Sequence, residues 1–127
     1  MPQSASARPL EALRWEKRAF VVFANDPADA ARQLAALPAR GLAERDLVVL
    51  VVPREGAIRV TGKSLAEVPS AQSLRQAFKV AEDDAFVAVL VGKDGGVKAR
   101  ETAPVSASAL FGLIDAMPMR RQEMRNP

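Results

Sequence analysis

Residues 19–52 read AFVVFANDPADAARQLAALPARGLAERDLVVLVV, and the fold is decided in this stretch. Ala19–Ala24 (AFVVFA) offers no polar position on either face, which is what a strand buried between two layers requires. Asn25-Asp26-Pro27 then opens a helix. Asp26 suits the N-cap, where its carboxylate accepts from the first free backbone amides, and Pro27 suits the first helical position, whose N–H has no partner anyway. Ala31, Leu34 and Leu37, at helical spacing, mark the inner face. Pro38 is expected to end or kink this helix and Gly41 to stop it. Asp46–Val52 (DLVVLVV) is a second strand of the same doubly buried kind. Strand, helix and strand in this order make a βαβ unit, with parallel strands and a right-handed crossover.

Upstream, Pro9–Arg18 (PLEALRWEKR) predicts a short helix or turn with Leu10, Leu13 and Trp15 facing inward. A lone Trp is better explained as a packing anchor than as a binding platform. Downstream, residues 53–69 are the least regular, with Ala57–Val60 as their candidate short strand. Ser70–Lys79 predicts a helix with Leu74 and Phe78 on one face, and Ala85–Val91 (AFVAVLV) a third strand apolar on both faces. Lys93-Asp94-Gly95-Gly96 is a hairpin turn, since paired glycines supply the positive φ that tight turns need. Val97–Glu101 (VKARE) alternates as a half-exposed strand does. Pro104–Met117 predicts a last helix with a core stripe of Ala107, Leu110, Phe111, Ile114 and Met117. Pro118 should break it, leaving 118–127 as a C-terminal tail to match a flexible N-terminal tail over 1–9.

The order β-α-β, then α, then β-hairpin, then α is that of a thioredoxin-like α/β domain. A four-stranded mixed sheet flanked by helices is therefore expected, forming a single domain over 1–127. The strand order should be fourth, third, first, second, with the third antiparallel to the others.

Composition removes whole classes of chemistry. The 127 residues include neither cysteine nor histidine, so thiol redox and histidine-based catalysis are excluded, and zinc, copper and haem lose their usual ligands. No metal or cofactor is expected; Glu82-Asp83-Asp84 reads as a solvated turn in preference to a hard-cation site. The net charge of +3 is scattered, without a basic stripe or interleaved aromatics, so no nucleic-acid partner is expected. No apolar run is long enough to span a membrane.

A redox enzyme of this fold keeps its cysteine pair just after the first strand, where the helix N-terminus stabilises a thiolate. Here that place holds Asn25-Asp26-Pro27-Ala28. The place of the usual cis-proline, before the third strand, holds Glu82-Asp83-Asp84-Ala85. Thr61-Gly62-Lys63-Ser64 resembles the end of a phosphate-binding loop, but the glycine required five residues before its Gly-Lys pair is Ala57. Two candidate contact surfaces remain. One is the old active-site edge at Asn25, Asp26 and Asp84; the other is a basic group of Lys93, Lys98, Arg100 and Arg120. Lys and Arg on an edge strand also guard against sheet-to-sheet aggregation, which is the plainer account of Lys98 and Arg100. Met117-Pro118-Met119-Arg120 reads as a clasp, with Met119 filling an apolar gap and Arg120 bonded to helix-end carbonyls or to Asp115.

Four segments carry a family resemblance: Arg14-Trp15-Glu16-Lys17-Arg18 before the first strand, residues 41–49 (GLAERDLVV), residues 90–100 (LVGKDGGVKAR) and residues 114–124 (IDAMPMRRQEM). Together they resemble the P-DUDES family, a thioredoxin-like domain of unknown function found in short bacterial proteins and in sushi-repeat-containing secreted proteins of animals. The resemblance runs from Leu10 to Met124. It implies a thioredoxin-like fold and an exported location, and it supplies no reaction. Some relatives keep a cysteine at the redox position, and this chain has none.

The expected function is that of a non-catalytic binding module, more a binder than an enzyme, for an unknown protein or a small anionic ligand. The alternative is a small enzyme using carboxylate and basic residues on an acidic or phosphorylated substrate. A periplasmic or otherwise exported location is expected, with a cytoplasmic one as the alternative. Ala5-Ser6-Ala7 has the small-x-small form of a signal-peptidase site, so an export signal ending near Ala7 is expected in the natural precursor.

Overall fold

The computed structural model describes residues 9–62 and 65–126. The Ala5-Ser6-Ala7 triplet, most of the expected N-terminal tail, and Lys63-Ser64 of the loop-like tetrapeptide lie outside these residues. A 3₁₀ turn, Glu11–Leu13, leads into β1 (Arg18–Ala24). Then follow α1 (Pro27–Ala35), α2 (Ala39–Glu44), β2 (Leu47–Pro53) and β3 (Arg59–Thr61). The chain closes with α3 (Ala71–Phe78), β4 (Phe86–Val91), β5 (Val97–Glu101), α4 (Ala107–Asp115) and α5 (Pro118–Arg125).

The architecture is α/β, with one mixed sheet in the order β3-β2-β1-β4-β5. β1 and β2 are parallel, with Val21 opposite Leu50; β4 runs antiparallel to β1, with Val21 opposite Val89. β5 returns antiparallel to β4. This is the expected order of the principal strands, with a fifth strand added. The segment expected to be irregular supplies Arg59–Thr61, which pairs antiparallel with the outer side of β2 and turns Val60 inward.

Strand parity separates two cores. Phe20, Val22 and Ala24 of β1 pack with Leu110 and Ile114 of α4 and with Leu37 and Leu42 around α2. Ala19, Val21 and Phe23 face the other way, toward Leu13, Leu74 and Val80. Burying each of the larger apolar side chains contributes about 1.5–3 kcal/mol. Their presence on both faces of β1, β2 and β4 explains why these strands occupy the middle of the sheet.

Several local expectations are corrected. Ala31 points to solvent, and the inner face of α1 is carried by Ala30 and Gln33. Gln33 is 0% exposed because its amide is fully used: Nε2 donates to the Val105 carbonyl at 2.9 Å and Oε1 accepts from the Val105 amide at 2.7 Å. Pro38 does not merely end a helix; it stands in extended conformation immediately before α2. Gly41 lies inside α2 and does not stop it. Its missing side chain is needed elsewhere, since a Cβ there would come within 2.5 Å of the Phe111 ring. Trp15 is 59% exposed and has a φ of 71°, so it is not the inward anchor that was expected. Pro118 opens a new helix, α5, in place of the expected tail, because its fixed φ and missing N–H suit a first helical position.

Candidate functional site

The predicted site residues fall at opposite ends of the sheet. At the C-terminal end of β1, Asn25 Nδ2 donates to the Glu82 carbonyl at 2.9 Å. Asp26 accepts from the Ala28 amide at 2.9 Å, as the N-cap of α1 should. Asp84 accepts from the Ala81 amide at 2.9 Å and closes its own turn. The Asn25–Asp84 edge is held by these local hydrogen bonds, with Asn25 Oδ1 left buried and without a partner. Among the described residues, no group of three or more Asp and Glu could hold a metal ion there or elsewhere.

The basic residues do not form one face. Lys98 and Arg100 lie on the α3 side of β5, opposite in parity to Ala99, which packs against the α4 core. Lys98 Nζ bonds Asp94 Oδ2 at 3.0 Å. Arg100 reaches the last carbonyls of α3, donating to Phe78 O and to Lys79 O, where unpaired carbonyls favour a cation. Lys93 and Arg120 belong instead to an ion network at the foot of the sheet, where β1 and β2 begin and β4 ends.

That network joins the four segments that carry the family resemblance. Arg18, 1% exposed, donates from Nη1 to the Arg45 carbonyl at 2.8 Å and pairs with Glu123 through both Nη atoms. Lys93, 9% exposed, bonds Glu123 Oε2 at 2.7 Å and Asp46 Oδ2 at 2.9 Å. Arg45 clasps Asp115 at 3.1 and 2.9 Å and stacks its guanidinium 4.1 Å from the centre of the Phe111 ring. Arg120 donates to Asp115 at 3.0 Å and to the Glu44 carbonyl at 3.0 Å, the partners expected for the clasp. Met119, the other half of that clasp, is 40% exposed and fills no gap.

The network keeps its acids ionised. Burial alone would raise the Glu123 carboxyl pKa, but its bonds to Lys93 and Arg18 outweigh that and hold it below the usual carboxylate value. Burial likewise opposes ionisation of Asp46, and Lys93 with Lys17 reverses the effect. Asp115 is depressed in the same way by Arg45 and Arg120.

Beside the network lies a cavity of about 410 Å³ between the 3₁₀ turn, α3 and the β4–β5 hairpin. Leu10, Leu13, Phe78 and Val91 give it apolar walls, and Gly92, Gly95 and Gly96 bring backbone to its edge. Its charged lining is Glu11, Arg14, Lys17 and Asp94. Lys17 links cavity and network, with Nζ 3.5 Å from Asp46 Oδ1. Arg14 Nε is buried without a hydrogen-bond partner, and the Arg14 guanidinium lies 5.2 Å from the Trp15 ring centre. A second, wider groove lies at the opposite end, lined by Arg54, Glu55, Arg75, Lys79 and Glu82.

Sequence reasoning singled out Lys93 and Arg120 but not Arg14, Lys17, Arg18, Asp46 or Glu123. The available signal was the segments themselves: each carries a charged residue directly before or after an apolar element. The chain matches the family model Domain of unknown function (DUF4174) over residues 9–123. It is similar to Coiled-coil domain-containing protein 80 of Danio rerio, with 30% identity over 135 residues, covering 91% of this chain and 15% of that protein. The chain therefore corresponds to a small part of that relative's length. No solved structure matches.

Proposed function

We propose that this chain, which belongs to the DUF4174 family of domains of unknown function, is a non-catalytic binding module of thioredoxin-like type. Its contact site, on this reading, is the cavity at the foot of the sheet. The element order and the resemblance to the P-DUDES family support the thioredoxin-like and exported parts of the reading. The observation that carries the binding part is the state of the donors around the cavity. Arg14 Nε is buried and unpartnered, as are Arg18 Nε and Asn25 Oδ1 elsewhere, but only at the cavity does a second loosely held cation line the same space: Lys17 has only a long contact to Asp46. A buried donor without an acceptor costs about 1–3 kcal/mol, a cost that a bound acceptor removes.

The acids argue against the enzymatic alternative. A general acid needs a carboxyl pKa raised toward neutrality. Asp46 and Asp94 beside the cavity are both held below the usual value, Asp94 by the Gly96 amide and then by Lys98. They serve as fixed anions that position Lys17 and the hairpin.

A fragment library titrated against the ¹⁵N-labelled protein tests the proposal. Hits should shift the amides of residues 14–17 and 92–97. Phosphatase, esterase, peroxidase and insulin-reduction assays should stay at background. Hits confined to the Asn25–Asp84 end, or steady turnover by the purified protein, would refute it.

A further inference from the structure

The lining of the cavity selects a ligand class, and this inference rests on the binding reading just given. We infer that the cavity takes a small amphiphilic monoanion, with a carboxylate at Lys17 and Arg14 and an apolar body on Leu10, Leu13, Phe78 and Val91.

The apolar half follows from position. Leu13 and Val91 are core residues that line the cavity, and the partly buried Leu10 and Phe78 line it with them. The apolar walls would exclude water from a hydrocarbon body laid on them. A volume of about 410 Å³ suits a medium-length acid or an aromatic acid.

The anionic half follows from the unsatisfied donors. Asp46 gives one oxygen to Lys93 at 2.9 Å, and its other oxygen stands 3.5 Å from Lys17 Nζ. Lys17 therefore keeps donors for a second acceptor, because an ammonium has three. Arg14 Nη1 stands 3.8 Å from Glu11 Oε2, beyond hydrogen-bond range, and its Nε is unpartnered. A carboxylate bridging the two cations would gain charge-assisted hydrogen bonds from both.

The single charge follows from what the neighbours already do. Asp94 is answered by Lys98 at 3.0 Å and by the Gly96 amide at 2.9 Å. Glu11 lies 3.8 Å from Arg14 and Asp46 lies 3.5 Å from Lys17, so both cations are partly offset and together match one negative charge better than two. The hairpin amides are also committed: Gly95 N bonds Gly92 O and Gly92 N bonds Gly96 O. No backbone cradle remains there for the several oxygens of a phosphate.

The test uses the whole chain, with octanoate, 1-octanol and octyl phosphate as probes, calorimetry for affinity and the Gly92, Gly95 and Gly96 amide signals for location. Octanoate should bind roughly tenfold or more tighter than octanol, as expected for charge-assisted hydrogen bonds, and at least as tightly as octyl phosphate. Lys17→Gln and Arg14→Gln should each erase most of that preference while leaving octanol binding intact. Ala77→Leu, at the exposed rim of the cavity, should weaken both octanoate and octanol. Equal binding of acid and alcohol, or a clear preference for the phosphate, overturns the inference while leaving the binding reading standing. If neutral and charged fragments alike fail to reach the hairpin glycines, the binding reading falls with it.

Discussion

The Arg18 guanidinium and the Glu123 carboxylate, 105 residues apart in the chain, lie side by side at the foot of the sheet, with Nη1 3.2 Å from Oε1 and Nη2 3.1 Å from Oε2. This pair and the Lys93–Glu123 contact tie α5 to the body of the protein. No residue of α5 is fully buried, so charge, more than apolar packing, holds the helix in place.

Glu123→Gln should destabilise the protein by about 2–3 kcal/mol. Removing one partner of a buried pair typically costs about 3–5 kcal/mol, because the other charge is left uncompensated, and the partial exposure of Glu123 reduces this. Urea denaturation measures it. Arg18→Met combined with Glu123→Leu should recover part of the loss, since the stranded cation is gone. A double variant as weak as the sum of its single changes would show that the pair is not the unit that matters.

Stability should fall as the solution is acidified. Glu123, Asp46 and Asp115 are all depressed in the folded protein, so the unfolded chain binds protons more readily. Their stabilisation is complete above the ordinary carboxylate range, near pH 4–5, and is lost as pH falls through that range toward the lower folded-state values. With no histidine or cysteine in the chain, stability should change little between about pH 6 and 8. Thermal unfolding across pH 2–8 checks both parts; a midpoint independent of pH below 5 would contradict the first.

The two residues of the expected clasp should separate on substitution. Met119→Ala should change stability by no more than about 0.5 kcal/mol, because the side chain is substantially exposed. Arg120→Ala should cost about 1–2 kcal/mol through its lost bonds to Asp115 and the Glu44 carbonyl. Equilibrium denaturation of the two variants compares them directly, and a larger loss at Met119 would restore the gap-filling role.

Gln33→Leu should cost about 2–4 kcal/mol despite adding an apolar side chain to a buried position. The Val105 amide and carbonyl would both lose the partner that Gln33 supplies, and nothing in leucine replaces it. Gln33→Glu should also be destabilising, because it removes the donor for Val105 O. Hydrogen exchange at the Val105 amide should speed up in Gln33→Leu, which removes its acceptor, and unchanged protection there would contradict this account.

The sequence by itself determined the four principal strands and the order of the longer helices between them, the doubly buried middle of the sheet, the Asp26 cap and the Lys93–Gly96 hairpin. Each of these has a local cause: apolar periodicity over a few residues, a capping carboxylate, or glycines where a turn needs them. It also excluded thiol and imidazole chemistry, because a missing residue type is missing in any fold. Only the tertiary structure decided which polar residues are buried. Arg18, Lys93 and Gln33 look like surface residues in the linear pattern, yet they are buried because partners from distant segments take up the Arg18 Nη atoms, the Lys93 ammonium and the Gln33 amide. The cavity was equally hidden, since its walls come from Leu10, Phe78 and Val91, which meet only after the sheet forms. Hydrophobic patterning records which face an element turns inward, whereas ion pairing acts over a few ångströms and depends on where the ends of separate elements come to rest.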